Sequence, residues 1–237
     1  MKVFRIFLLV VFVGIVAASI WEESFDSDGM KVHSISVQGA SGTTETRIRQ
    51  SLENMMGRPL WQLPVEQAAG KVKQDPWVDS VTIHRQFPHT LAVTVKERKP
   101  VAVMGDGAGK FNYVDDSNTI IDRAPVSETA RYPVLLGSNF EKDSGLRAQG
   151  LALLKSLPDE GLISQKDISD LRFDNEHGFQ LTLAQTGVVI DIGKENLPLH
   201  LDRARRVVQY LNEHKINALR LDSDYAKKVL VKVRKAQ

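Results

Sequence analysis

Residues 76–102 read PWVDSVTIHRQFPHTLAVTVKERKPVA, and this stretch decides the fold of the first half of the chain. Val81 and Ile83 alternate with polar residues, as do Leu91, Val93 and Val95. Such a period of two marks half-buried strands. The five residues Gln86 to Thr90, with Phe87-Pro88 inside, form the loop between them. Opposing Ile83 to Val93 and Val81 to Val95 puts all four side chains on one face of the sheet.

Upstream, KVHSISV alternates His33, Ile35 and Val37 as a further strand, and Gly39 to Gly42 turns the chain. Thr44 is the expected N-cap of a helix that carries Ile48, Leu52 and Met55 or Met56 on one side and stops at Gly57. Pro64 opens a second helix at a position where its missing N–H is harmless, with Ala68, Ala69 and Val72 inward and Asp75-Pro76 as its stop. Two amphipathic helices on a three-stranded sheet give an α+β module of order βααββ over residues 31–98.

Downstream, Pro100 marks a boundary, and residues 99–237 read as a mainly antiparallel β domain with two helices. Strands are expected at Val101–Met104, Phe111–Val114, Thr119–Asp122, Tyr132–Gly137, Ile168–Phe173, Phe179–Leu183, Val188–Ile192, Ala218–Leu221 and Lys227–Val233, and helices near Ser144–Leu157 and Leu199–Glu213. Arg203, Arg205 and Arg206 read as a solvated helix face, with contact to anionic lipid or a partner as the other reading.

At the other end, Ile6 to Trp21 is a run of sixteen uncharged residues, eleven of them Leu, Ile, Phe or Val. With residues 3–5 it reaches about 28 Å as a helix, close to the hydrocarbon thickness of about 30 Å, if Arg5 snorkels. On an insertion scale these side chains contribute on the order of −3 to −6 kcal/mol. Lys2 and Arg5 precede the run; Glu22, Glu23, Asp26 and Asp28 follow it. The basic flank stays inside, so residues 1–5 are expected as a cytoplasmic tail, 6–21 as a single anchor (membrane contact through 3–21), 22–30 as a linker, and the rest outside. A cleaved signal peptide, with small residues at Ala17-Ala18-Ser19, is the alternative. Beyond residue 30 the chain has 29 bases and 25 acids, a mild formal +4, which does not favour nucleic-acid binding.

Chemistry is hard to place on this sequence. The absence of cysteine excludes disulfides, thiolate metal sites and cysteine nucleophiles. The six histidines stand at no metal-binding helical spacing, and no nucleophile elbow or phosphate loop occurs. Gly105-x-Gly-x-Gly109 is a hairpin turn, and Asp115-Asp116 a turn without further spaced oxygens. No catalytic residue, cofactor, metal or small-molecule substrate is expected. Recognition surfaces remain. From Lys227 to Gln237 there are five bases and no acid, and Val229, Val231 and Val233 alternate with Lys228, Leu230 and Lys232. A basic edge strand guards against self-association, and it also suits an acidic partner that adds a strand. Phe87 at the hairpin tip is expected to pack down beside Trp77, with partner contact as the other reading.

The 76–102 string, with Pro76, Val78, Val81, Arg85, Pro88, Leu91, Val93, Val95, Glu97, Pro100 and Ala102, resembles the POTRA domain and its exit in the FtsQ/DivIB family of bacterial cell-division proteins. Tyr113-Val-Asp-Asp116, Pro133-Val-Leu-Leu-Gly137 and the hairpin 179–192 before a basic helix resemble the β domain of that family. The chain departs from it at Arg220-Leu221-Asp222-Ser223, where an acidic-Leu-Arg-aromatic strand is usual, and in its short segment 1–5. The resemblance implies a non-enzymatic scaffold in the inner membrane at the division septum, with its C-terminal domains periplasmic. It implies bitopic partners of the FtsB and FtsL type, and strand addition at Lys228, Val229, Leu230, Val231, Lys232 and Val233, while Arg85, Phe87, Pro88, Glu97 and Pro100 carry the POTRA motif. The rival readings are a POTRA-containing component of outer-membrane assembly or polypeptide transport, and a periplasmic cell-wall enzyme.

Overall fold

The computed structural model describes residues 30–106, 108–225 and 228–234, together with Phe12. The expected anchor at 6–21 and linker at 22–30 therefore lie, apart from Phe12 and Met30, outside the described residues. Among the described residues no helix is long and apolar enough to cross a membrane. The chain divides between Arg98 and Lys99 into two compact units.

In the first unit the order is β1 (Ser34–Gln38), α1 (Gly42–Ser51), α2 (Val65–Val72), β2 (Val78–Gln86) and β3 (Thr90–Glu97). The sheet order is β1-β3-β2, with β1 parallel and β2 antiparallel to the central β3. Val81 pairs with Val95 and Ile83 with Val93, as the alternation requires. Ile48, Leu52, Met55, Ala68 and Val72 join them in one core, and Met56 points out at 42% exposure. Thr44 does not cap α1. The helix starts three residues earlier, after Ser41, and the buried Thr44 donates to Glu97 instead.

The second unit contains β4 (Pro100–Gly105), β5 (Phe111–Asp115), β6 (Ile120–Arg123), β7 (Val134–Leu136), α3 (Ser138–Lys142), α4 (Ser144–Lys155), β8 (Ile168–Asp174), β9 (Gly178–Leu183), β10 (Val189–Gly193), α5 (Leu197–Glu213), β11 (Ala218–Asp222) and β12 (Leu230–Val233). They form one nine-stranded sheet of order β12-β11-β10-β9-β8-β7-β4-β5-β6. Five of the eight strand pairs are antiparallel, as expected, but the sheet is mixed, and three helices stand among the described residues where two were expected. β4–β7, β7–β8 and β10–β11 are parallel pairs. Parallel neighbours need a long crossover. Here α3 and α4 carry the chain from β7 to β8, and α5 carries it from β10 to β11. The short α3 went unread because a single buried side chain, Phe140, holds its five residues. Leu153 and Leu154 of α4, and Leu201, Ala204 and Leu211 of α5, share one apolar core with the inner strands.

Candidate partner-binding edge

β12 forms one edge of the large sheet. Its register on β11 sets Leu230 opposite Asp222, Val231 opposite Leu221 and Lys232 opposite Arg220, with an irregularity in β11 between Ala218 and Arg220. The amide of Arg234 donates to the Asn217 carbonyl at 2.8 Å. Backbone groups of a strand alternate sides, so Leu230 and Lys232 also face β11, and the N–H and C=O of Val231 and Val233 face away from it. No strand neighbours that outer side among the described residues. All four residues of β12 are exposed, Leu230 at 48% and Val233 at 49%. The edge is therefore short, partly apolar and basic.

The strand is shorter than the sequence pattern indicated. Lys228 lies in a turn, its amide donating to the Tyr225 carbonyl at 2.9 Å, and the Val229 side chain packs against the core. Turn closure and core packing thus withdraw Lys228 and Val229 from the alternating edge. Ala226, Lys227 and residues 235–237 lie outside the described residues.

Behind the edge stands a polar support that the sequence did not disclose. Arg220 of β11 donates through Nε (2.5 Å) and Nη2 (2.7 Å) to the buried Asp191 carboxylate of β10. The hydrogen bonds and charge of Asp191 raise the pKa of the Arg220 guanidinium, against the opposing effect of burial. Ser223, fully buried, donates through Oγ to the Asp191 carbonyl at 2.6 Å. His200 of α5 contacts the Ile192 carbonyl through Nδ1 at 2.8 Å and lies 3.4 Å from Asp224. Together these bonds fix the strand that carries β12. Beside the far end of β12, a groove of about 750 Å³ opens between the end of α5 and the β9–β10 turn, lined among others by Leu183, Leu211, Ile216 and Arg234.

The basic helix face is only partly solvated. Arg206 is exposed and pairs with Asp202 at 2.5 Å, whereas Arg203 and Arg205 are half-buried. Among the described residues, the Nε of Arg205 is buried without a hydrogen-bond partner.

The POTRA-motif residues stand at separate places, and all but Phe87 and the exposed Pro88 tie elements together or open a strand. Arg85 donates through Nε to the Leu60 carbonyl (3.0 Å) and through Nη2 to that of Leu63 (2.6 Å), tying β2 to the connection between the helices. Phe87 does not pack down beside Trp77; it stands 60% exposed at the β2–β3 tip, next to an exposed Pro88, because the three-residue turn projects it past the core. Glu97 accepts from the Ser41 amide (3.0 Å), Ser41 Oγ (2.8 Å) and Thr44 Oγ1 (2.5 Å), and so holds the start of α1 against the end of β3. Burial alone would raise the Glu97 pKa. The hydrogen bonds from Thr44 and Ser41, with the Arg47 charge, outweigh it and hold the carboxyl below its ordinary value. Pro100 opens β4, where its ring needs no donor. Among the described residues no group of three or more His, Asp or Glu is placed to hold a metal.

Comparison with known proteins matches this architecture. Residues 30–98 fit the family described as POTRA domain, FtsQ-type, and residues 102–227 fit the family described as Cell division protein FtsQ/DivIB, C-terminal. The second match stops just before β12. Among similar proteins, the cell division protein FtsQ of Geobacter sp. (strain M21) is 28% identical over 184 residues, covering 74% of this chain and 66% of its own length. That of Anaeromyxobacter sp. (strain K) is 28% identical over 201 residues, 81% of this chain and 67% of its own. That of Koribacter versatilis (strain Ellin345) is 26% identical over 234 residues, 92% of this chain and 66% of its own. The chain thus spans about two thirds of the length of these relatives. With one FtsQ-type POTRA unit followed by a β domain whose family match covers more than half of its residues, the chain belongs to the FtsQ/DivIB family of cell division proteins.

Proposed function

We propose that this chain is a bitopic, non-enzymatic scaffold of the division machinery, anchored in the cytoplasmic membrane through residues 3–21, with both folded units outside. Its mechanism is recognition. A partner of the FtsB type, acting with one of the FtsL type, adds a strand to β12, and the assembly is thereby gathered at the septum.

The observation that carries this reading is the outward backbone of Val231 and Val233 on an exposed edge strand. Two N–H and two C=O groups stand ready for an added strand, and main-chain pairing of this kind supplies affinity without a deep pocket. Lys232 and Arg234 give the edge a positive character that favours an acidic strand and disfavours a second copy of this one.

The test is a binding measurement between the chain and a partner of the FtsB type, with Val231→Pro and a deletion of Val229–Gln237 beside the unmodified chain. Proline removes the outward N–H of Val231 and no bond to β11. Both variants should lose binding while the 31–98 unit keeps its unfolding transition. Unchanged affinity in Val231→Pro would remove strand addition from the mechanism.

A further inference from the structure

Three segments of the first unit meet at one of its ends. Lys31 bridges to Pro59, the Val32 amide donates to the Arg58 carbonyl at 3.0 Å, and the Gly57 amide donates to the Val32 carbonyl at 2.9 Å. The His33 amide donates to the His89 carbonyl at 3.0 Å, and Arg85 reaches the carbonyls of Leu60 and Leu63. The chain's start at Lys31, the turn after α1 and the β2–β3 tip therefore form a single end face.

That face exposes three large apolar side chains among polar ones. Met56 is 42% exposed, Trp61 38% and Phe87 60%, while the adjacent Leu60 and Leu63 are buried. Segments 30–34, 56–64 and 84–90 contain Lys31, Arg58 and Arg85 and no acid. Met56 and Phe87 stand outside the core, and the three segments themselves are basic, with Glu53 bordering the face in the groove beside Met56 and His33.

A Trp and a Phe among bases is the composition that settles at a lipid headgroup layer, where aromatic rings partition and cations meet phosphate. The chain outside the described residues points the same way. Only residues 22–30 separate the apolar run ending at Trp21 from Lys31, and nine residues span at most about 32 Å. The tether itself carries Glu22, Glu23, Asp26 and Asp28 and supplies no attraction to an anionic surface.

We propose that this end of the POTRA unit docks on the anionic phospholipid surface of the membrane, with Trp61, Phe87 and Met56 in the headgroup layer and Lys31 and Arg58 on lipid phosphates. The proposal rests on the anchored topology and adds to it a fixed seat for the first unit.

The full chain is reconstituted in vesicles of phosphatidylethanolamine and phosphatidylglycerol. It has no cysteine, so Phe87→Cys takes a single environment-sensitive fluorophore. Gln74→Cys, exposed before the opposite end of β2, is the control. Nitroxide-labelled lipid should quench the label at 87 and spare that at 74. Quenching at 87 should be lost in Lys31→Glu/Arg58→Glu, and also when phosphatidylcholine replaces both lipids, an arm that needs no further variant. A chain that floats with the vesicles but shows no quenching at 87, or equal quenching at both sites, overturns the docking and leaves the anchor intact. So does a label at 87 that is shielded only on adding a partner protein. A chain that fails to float after a carbonate wash overturns both.

Discussion

Arg220 holds Asp191 across the parallel pair β10–β11 through two hydrogen bonds of 2.5 and 2.7 Å. The two residues are 29 positions apart, with α5 between them. The Asp191 side chain is only 5% exposed and that of Arg220 43%, so the carboxylate is the member that depends on the pair. Removing the guanidinium by Arg220→Ala strands a buried charge. The expected loss is about 2–3 kcal/mol, below the range for fully buried pairs because Arg220 is half in solvent. Urea unfolding of the second unit measures it, and an unchanged midpoint would show the pair to be energetically idle.

Glu97 gives the first unit a pH dependence whose sign is fixed. Its folded pKa lies below the ordinary value, which for a glutamate is about 4.3. The stabilisation is therefore complete above that value and is lost as pH falls through the lower, folded one. Glu97→Gln should flatten this part of the acid limb while leaving the neutral limb parallel to that of the unmodified chain. Thermal unfolding followed from pH 7 downward is the measurement.

Arg85 and Phe87, two residues apart, should behave oppositely. Arg85→Ala frees two carbonyls on the helix connection and should cost about 1–2 kcal/mol. Arg85→Lys should not restore it, since one ammonium cannot reproduce the planar fork. Phe87→Ala should stay within about 0.5 kcal/mol of the unmodified chain. A large loss in Phe87→Ala would mean that the tip residue is part of the core after all.

Gly178 sits at φ +73°, and an added Cβ would collide with the backbone of Gly193 at the bulge between β9 and β10. Both strain and collision oppose a side chain, so Gly178→Ala should cost about 2–3 kcal/mol. Gly187, at φ +69° but with nothing near its added Cβ, should tolerate alanine at about 1 kcal/mol. Comparable losses at the two positions would leave the collision without effect.

What could be read from the sequence was what neighbouring residues encode. The Val81–Val95 register follows from strict alternation on both sides of a short loop, and α2 from Pro64 and its small apolar stripe. Parallel pairing was not legible. Nothing in Val134–Leu136 states that β4 lies on one side and β8 on the other, because that choice is made by core burial along distant segments. The same holds for the site. The exposed basic edge was visible as a pattern, but its start was misplaced by two residues, since only the fold shows Lys228 closing a turn and Val229 entering the core. Glu97 was conspicuous in the motif, yet its donors Ser41 and Thr44 stand 56 and 53 positions away. The Asp191–Arg220 pair had no local signal at all.

The β10–α5–β11 crossover has a consequence for timing. β12 is held in the sheet by β11, and β11 by a parallel strand that it can meet only once α5 has folded across. The same short sequence in a chain that has not completed this crossover has nothing to lie against and presents no aligned edge. A protein that captures the chain at β12 is therefore reading a finished domain rather than a linear tag. On the proposed strand addition, that grip would double as a proofreading step that withholds recruitment from misfolded copies.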